Sequence, residues 1–247
     1  MTMDSSAAAS AEQSDARPGG PWTLKDLAWA SVAAVMFTGM GIVMALLFTV
    51  LLAVLAEPDG QPNPTAYIFV ALAAEAWLLL PSWVWGPAKY GGGWKALGRR
   101  RFKLAPGLAL MALAVVVTIL VNMGWGWVRQ RFGWSGQPDI LPLFGEGVSG
   151  LLTAILLGGV LAPIAEEVFF RGFMYAGMRT RWGVGWALAA SSLVFAVAHL
   201  SLATLPQLLI MGFVLAYLYE RTDSIWPSII LHMANNSVAF IALYLAR

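Results

Sequence analysis

The chain of 247 residues contains no cysteine, which excludes disulfides, thiolate nucleophiles and metal sites with cysteine ligands. Charged residues are also scarce, because Asp, Glu, Lys and Arg make up only 11% of the chain, whereas soluble domains contain about 25%. A soluble fold with 59% hydrophobic residues would expose a large apolar surface to water. The scarcity of charge therefore favours a protein that is surrounded by lipid.

Long apolar runs are the dominant feature of the chain. A membrane-spanning helix needs about 20 mostly apolar residues, and the runs are continuous, without the alternation that barrel strands require. We therefore predict an all-α, polytopic transmembrane helix bundle of about seven to eight spans. The predicted spans cover approximately residues 27–55, 66–86, 105–128, 149–178, 183–200, 205–220 and 225–246. The alternative with eight spans splits the fourth run near Gly158, Gly159 and Pro163.

The first 25 residues differ in composition from the rest of the chain. Residues 1–25 are rich in Ser, Ala, Gln and Gly, and they lack the apolar core of a signal peptide. We expect them to form a disordered cytoplasmic tail, followed by a membrane domain at 26–247. Within that domain we distinguish accessory spans at 26–148 and a catalytic core at 149–247.

Basic residues are concentrated in the loop at 89–103, which contains six lysines and arginines. Positive charge favours the cytoplasmic side of a membrane, so we expect a multi-pass cell membrane protein with a cytoplasmic N-terminus. The composition, rich in Ala, Gly and Trp, suggests a bacterial inner membrane. The same loop is expected to contact anionic lipids, and no feature of the chain predicts binding to nucleic acid.

Ionisable side chains within spans are costly, so each is a candidate functional residue. Glu167 and Arg171 are four residues apart in the order that favours a helical ion pair. Glu166 points about 100° away around the same helix and lacks this partner, so it is the better candidate for a general base. The alternative is that both acids only hold helices together. We expect Glu75, a lone acid in the second span, to be a structural partner rather than part of the site.

The chain has two histidines, His199 and His232, and both lie in predicted spans. Asn236 is four residues after His232, so the two share a helix face. Glu166 lies 15 residues before Arg181 and His199 lies 16 residues after Gly183. With a turn between those two positions, both side chains lie about 23 Å from the turn and at the same depth. The four polar groups can therefore converge on one buried point.

This combination of side chains suits peptide hydrolysis by direct attack of water. A glutamate and a histidine can deprotonate water, while a histidine and an asparagine can donate hydrogen bonds to a developing oxyanion. Zinc is the competing explanation, because two histidines and a glutamate form a common catalytic zinc site. The His-Glu-x-x-His motif is absent and the histidines lie on different spans. We therefore expect no metal and no other cofactor.

Three motifs occur in order along the chain: Glu-Glu-x-x-x-Arg at 166–171, Phe-x-x-x-His at 195–199 and His-x-x-x-Asn at 232–236. Through them, residues 149–247 resemble the CAAX protease and bacteriocin-processing (CPBP, or Abi) family of intramembrane glutamic endopeptidases. The eukaryotic relative of that family is the Ras-converting endopeptidase.

The resemblance implies that Glu166 and His199 activate the attacking water and that His232 and Asn236 form the oxyanion hole. The supporting residues that it implies are Glu167, Arg171 and Phe195. The implied activity is an intramembrane endopeptidase that cuts near the C-terminal or membrane-proximal part of a membrane-associated peptide or protein. Some relatives remove the C-terminal tripeptide of prenylated proteins, and others act in bacteriocin immunity or peptide maturation.

Two other functions fit the same residues. A non-enzymatic membrane scaffold or bacteriocin-immunity protein would use the polar cluster for structure alone. A proton-coupled transporter would use the buried acids as proton carriers. The absence of an obvious internal repeat weakens the transporter hypothesis.

Overall fold

The computed structural model describes residues 20–55, 68, 72, 77–134 and 139–247. All regular secondary structure within these ranges is helical, so the predicted all-α class is confirmed. The first helices are α1 (Leu24–Leu55), α2 (77–84), α3 (Pro87–Tyr90), α4 (Gly93–Ala96) and α5 (Leu104–Arg131). A short 3-10 turn (Leu141–Phe144) is followed by α6 (Gly147–Ala154), the π-helix π1 (Ile155–Leu161), α7 (Ala162–Glu167) and the π-helix π2 (Val168–Tyr175). The last helices are α8 (Ala176–Ala198), α9 (Leu205–Thr222) and α10 (Trp226–Leu245).

Four helical stretches in the described ranges are long and apolar enough to cross a membrane, which makes this a membrane protein. They are Leu24–Met44, Leu104–Arg131, Gly147–Ala198 and Trp226–Leu245. The count of seven to eight spans stays a prediction. The predicted second span is described mainly over 77–84, and Glu75 lies outside the described residues.

The helix that carries the two glutamates runs without a break from Gly147 to Trp182. Pro163 lacks a backbone N–H, and its ring would collide with the carbonyl group of Gly159 in a regular α-helix. The wider turn of π1 ends at Leu161, two residues before Pro163, and relieves this conflict. The predicted run is therefore not split at its glycine pair. The helical path breaks instead at Gly183, whose φ is 74°.

Residues just before α1 pack against this helix. Trp22 is fully buried, its ring stacks 5.1 Å from that of Phe173, and its Nε1 donates a 2.8 Å hydrogen bond to the Phe173 carbonyl oxygen. The backbone N–H of Gly20 donates to the carbonyl oxygen of Ala176. The described part of the predicted disordered tail is therefore ordered, because a buried indole supplies apolar area and its N–H finds an acceptor. Residues 1–19 lie outside the described residues.

The loop between α4 and α5 closes one end of the bundle against the α9–α10 turn. The backbone N–H of Ile225 donates to the Gly98 carbonyl oxygen over 2.9 Å, and the Ser224 hydroxyl group donates to the Arg100 carbonyl oxygen over 2.6 Å. Arg100 also forms an ion pair with Asp223. Part of the predicted basic loop is thus bound to the core.

Gly172, which follows the first motif, permits this loop to touch the central helix. A Cβ atom at this position would lie 2.4 Å from the carbonyl oxygen of Leu97. Leu97 is itself buried, at 1% exposure. Only a residue without a side chain allows this close approach of backbone to helix.

Candidate active site

The Glu167–Arg171 pair forms the closed side of the site. Arg171 Nη1 lies 2.7 Å from Glu167 Oε1, and both side chains are almost completely buried. The second guanidinium nitrogen donates to the Gly212 carbonyl oxygen in α9, and the Phe195 ring lies 4.3 Å from the guanidinium carbon. The helical pair predicted from the four-residue spacing is therefore present. A buried pair of this kind is costly to break, because the remaining charge is left without a partner.

His232 is the partner of Glu167 that the sequence did not reveal. Its Nδ1 lies 2.9 Å from Glu167 Oε1, the same oxygen that binds Arg171, and the His232 ring is 3% exposed. The helical spacing had assigned Glu167 to Arg171 alone. The available signal was that a buried histidine needs a polar partner, but the sequence could not say which acid faces it.

Glu166 lies on a partly exposed face of the same helix, although its Oε2 atom is itself buried. Its Oε2 lies 3.9 Å from His199 Nε2 and 3.8 Å from His232 Nε2. These separations are too long for direct hydrogen bonds, and that oxygen has no hydrogen-bond partner among the described residues. The side chain is 18% exposed. Glu166, His199 and His232 thus meet at Glu166 Oε2, whereas the sequence predicted that Asn236 would converge there as well.

His199 lies directly after α8, and its ring orientation follows from one hydrogen bond. Its Nδ1 lies 2.8 Å from the Phe195 carbonyl oxygen one turn earlier. Since a carbonyl group can only accept, Nδ1 must be the donor, and Nε2 of a neutral ring carries the lone pair. A neutral His199 ring therefore presents the Nε2 lone pair towards Glu166.

Phe195 packs against both histidines. Its ring lies edge-on, 4.7 Å from the ring of His199 and 5.7 Å from the ring of His232. Phe195 is fully buried and also contacts Arg171. The resemblance of Phe-x-x-x-His to a family motif was the only sequence signal for Phe195, and the structure adds its contact with both imidazole rings.

Asn236 lies one turn after His232 on α10 but takes different partners. Its Nδ2 donates a 3.2 Å hydrogen bond to the Gly158 carbonyl oxygen in π1, and its Oδ1 accepts a 3.3 Å hydrogen bond from Asn235. These contacts attach Asn236 to π1, one turn along α10 from His232, which is one of the two histidines that flank Glu166 Oε2. Gly158 was considered only as a helix breaker from sequence, and here it supplies an acceptor.

No group of three or more His, Cys, Asp or Glu side chains in the described ranges is arranged to hold a metal ion. The site geometry is instead that of one carboxylate facing two imidazole nitrogens at nearly equal distances. The absence of a metal or other cofactor stays a prediction.

Comparison with known proteins is consistent with this site. Residues 148–238 match the sequence model of the family described as Rce1-like, type II CAAX prenyl endopeptidase Rce1-like. The match includes all three motifs, so the resemblance inferred from them is confirmed over these residues. Helices α1 to α5 lie before the matched region.

Three curated bacterial proteins are similar to parts of the chain. The "Putative membrane peptidase YdiL" of Bacillus subtilis is 32% identical over 44% of this chain and 45% of its own length. An "Uncharacterized 24.3 kDa protein" of Escherichia coli is 27% identical over 53% of this chain and 60% of its own length. The "UPF0177 protein YxdF" of Lactococcus lactis is 27% identical over 41% of this chain and 54% of its own length. The chain thus spans about half the length of these relatives, and no solved structure matches it.

Proposed function

We propose that this protein is an intramembrane endopeptidase of the glutamic type. It hydrolyses a peptide bond near the C-terminal or membrane-proximal part of a protein or peptide substrate. The observation that carries the proposal is the approach of Glu166 Oε2 to His199 Nε2. The two atoms are 3.9 Å apart, a separation that a water molecule can bridge. The match of residues 148–238 to a family of endopeptidases supports it.

Glu166 and His199 act on the attacking water. A water molecule between them donates one hydrogen to each acceptor, and its oxygen attacks the carbonyl carbon of the scissile bond. The proton that leaves the water moves to Glu166, and the carbonyl oxygen becomes an oxyanion. The C–N bond then breaks, and Glu166 passes its proton to the leaving amine, which restores the carboxylate.

His232 and Asn236 stabilise the oxyanion. The contact with Glu167 at Nδ1 aims the other ring nitrogen of His232 towards the site, and donation from Nε2 requires a ring that carries both protons. Glu166 and Glu167 face its two nitrogens at 3.8 and 2.9 Å. The removal of a single oxyanion donor costs other hydrolases about 10²–10³ in kcat.

The substrate is a membrane-associated peptide or protein. Because Glu166 lies within the apolar segment Gly147–Ala198, the scissile bond has to reach the site from within the bilayer or its interface. The family description names prenylated CAAX sequences, and substrates of this type are one candidate class. Unlipidated apolar C-termini are the other.

We place the protein in the cell membrane, as a multi-pass protein of a bacterial inner membrane with a cytoplasmic N-terminus. The basic loop would then lie at the cytoplasmic surface, where anionic lipids are concentrated. Arg99 and Arg101 line an open cavity of about 440 Å³ that also contains Trp226. Because Arg100 is paired with Asp223, the lipid contact is assigned to the two neighbouring arginines.

The test is cleavage by the purified protein in liposomes. The substrates are a quenched fluorescent peptide that ends in a farnesylated Cys-a-a-X sequence and the same peptide without the farnesyl group. Wild-type protein is expected to cut at least one of them, and Glu166→Gln is expected to lower the rate by about 10²–10⁴-fold. Resistance of both peptides to the wild-type protein, or equal rates for the variant, would contradict the proposal and favour a scaffold.

A chelator separates this mechanism from a zinc peptidase. The reaction is expected to continue at an unchanged rate in 1,10-phenanthroline, because its nucleophile is activated by side chains alone. Inhibition that added zinc reverses would overturn the glutamic mechanism and reinstate the metal-dependent one.

A further inference from the structure

A chain of four side-chain amides crosses the bundle and ends at the candidate site. Gln207 Nε2 in α9 donates to Asn122 Oδ1 in α5 over 2.6 Å, and Asn122 Nδ2 donates to Asn235 Oδ1 in α10 over 3.1 Å. Asn235 Nδ2 donates to Asn236 Oδ1 over 3.3 Å, and Asn236 Nδ2 donates to the Gly158 carbonyl oxygen over 3.2 Å. The chain connects three helices to π1, and all four amides are half-buried.

The last acceptor in this chain determines the direction of every amide. A backbone carbonyl group cannot donate, so Asn236 must turn its nitrogen towards Gly158 and its oxygen towards Asn235. Asn235 must then present its nitrogen to Asn236 and its oxygen to Asn122. The same reasoning directs the nitrogen of Asn122 towards Asn235 and leaves its oxygen for Gln207. A reversed amide anywhere in the chain would place two oxygens or two nitrogens in contact.

This arrangement leaves one N–H of Asn236 unassigned. The amide nitrogen has two hydrogens, and the Gly158 carbonyl oxygen accepts one of them. The second hydrogen is available to an oxyanion only while the amide keeps this orientation. An unsupported asparagine could rotate its amide and offer the oxygen instead, which would repel a developing negative charge.

We propose that Asn122, Gln207 and Asn235 are positioning residues that hold the Asn236 amide in its donor orientation. The inference rests on the proposed function, because it deepens the oxyanion role of Asn236. It also assigns a task to α5, because Asn122 lies before the matched region at 148–238. The accessory part of the chain thereby contributes to the site without touching the substrate.

The contact of α5 with the core places Asn122 for this task. One turn earlier, the Thr118 hydroxyl group lies 3.8 Å from Met211 Sδ in α9. One turn later, Trp125 Nε1 donates a 2.7 Å hydrogen bond to the Ala203 carbonyl oxygen. These flanking contacts set the rotation of α5, so the Asn122 side chain faces α9 and α10 rather than lipid.

The experiment is a double-mutant cycle between Asn122 and Asn236, with the farnesylated and unmodified peptides as substrates. Asn236→Ala is expected to lower kcat by about 10²–10³-fold, and Asn122→Leu alone is expected to lower kcat about tenfold with little change in KM. In the Asn236→Ala background, Asn122→Leu is expected to cause no further loss, because the residue acts only through the missing amide.

Gln130→Leu is the matched control, because it makes the same kind of amide-to-leucine change on α5 at an exposed residue outside the amide chain. It is expected to keep the wild-type kcat, and thermal unfolding in detergent checks that all variants are folded. An equal loss from Asn122→Leu in both backgrounds would identify a merely structural residue and overturn the inference. An unchanged kcat for the Asn122→Leu single variant would overturn it as well.

The cycle also distinguishes a failure of the proposed function from a failure of the positioning role alone. If Asn236→Ala keeps full activity, the oxyanion assignment within the proposed function fails. If Asn236→Ala loses activity but Asn122→Leu is additive with it, the proposed function stands and only the positioning role fails.

Discussion

Glu166 and Glu167 are adjacent in the chain, yet they face two different environments. Glu167 has no exposed surface and binds both Arg171 and His232 through one oxygen. Glu166 is 18% exposed, and its Oε2 has no hydrogen-bond partner among the described residues. Successive residues of a helix point about 100° apart, so one turn of helix can carry both a closed structural face and an open reactive face.

The comparison teaches that burial and pairing separate the structural acid from the chemical one. An acid whose oxygen already accepts two hydrogen bonds is held in place and contributes rigidity. An acid that lies within 4 Å of two imidazole nitrogens without bonding to either can accept a proton from a bound water. The expected consequences of substitution therefore differ in kind between the two faces.

The largest expected effect distinguishes the two acids directly. Glu166→Gln should lower kcat by about 10²–10⁴-fold, because an amide cannot accept the proton of the attacking water. Its thermal unfolding temperature in detergent should stay close to that of the wild type, because no hydrogen bond of the closed face is lost. A large drop in unfolding temperature for this variant would show that the two faces are not separate.

Removing the cation of the closed face should mainly reduce stability. Arg171→Leu removes the guanidinium that binds Glu167 Oε1 and leaves the buried acid with His232 as its remaining partner, which we expect to cost about 3–5 kcal/mol of unfolding free energy. The measurement is denaturant-induced unfolding in mixed micelles, with Arg171→Lys as the variant that keeps the charge. A fully stable Arg171→Leu variant would contradict the structural role of this face.

A smaller effect is expected where the two faces share a residue. Phe195→Leu keeps the site apolar but removes the ring that contacts His199 and His232. Aromatic pairs contribute about 0.5–1.5 kcal/mol each, so kcat should fall about tenfold as the rings loosen. Steady-state kinetics and thermal unfolding on the same preparation test this, and Phe213→Leu, at a half-exposed ring in α9, is the control.

The smallest expected effect lies outside both faces. Arg100→Ala removes an ion pair with Asp223 in which both side chains are partly exposed, at 27% and 45%. Exposed pairs contribute about 0–1 kcal/mol, so stability should change little and kcat should not change. A loss comparable to that of Arg171→Leu would mean that the loop–turn contact, rather than the buried pair, dominates stability.

Much of the fold was predictable because a helix that spans a lipid bilayer needs a long run of apolar residues. Most predicted spans coincide closely with helices, for example 105–128 with Leu104–Arg131 and 205–220 with Leu205–Thr222. The boundary of the tail was misplaced because a single tryptophan within a polar segment carries no periodic signal. Trp22 shows its role only through its contact with Phe173, 151 residues away.

The site was predictable to the extent that local spacing determines geometry. The Glu167–Arg171 pair and the shared face of His232 and Asn236 follow from helical periodicity. The meeting of Glu166 with His199 follows from counting residues to the turn between two antiparallel helices. Roles within catalysis stay predictions until the variants are measured.

The sequence by itself determined that the protein is surrounded by lipid, that it is helical, and which few polar groups could act within the bilayer. Each of these properties depends on composition or on contacts within one helix. Only the tertiary structure decided that His232 binds Glu167, that Asn122 connects α5 to Asn235, and that Gly158 supplies the final acceptor. These contacts depend on how helices rotate and tilt against one another. That choice depends on packing over the whole bundle, so no local spacing in the chain encodes it.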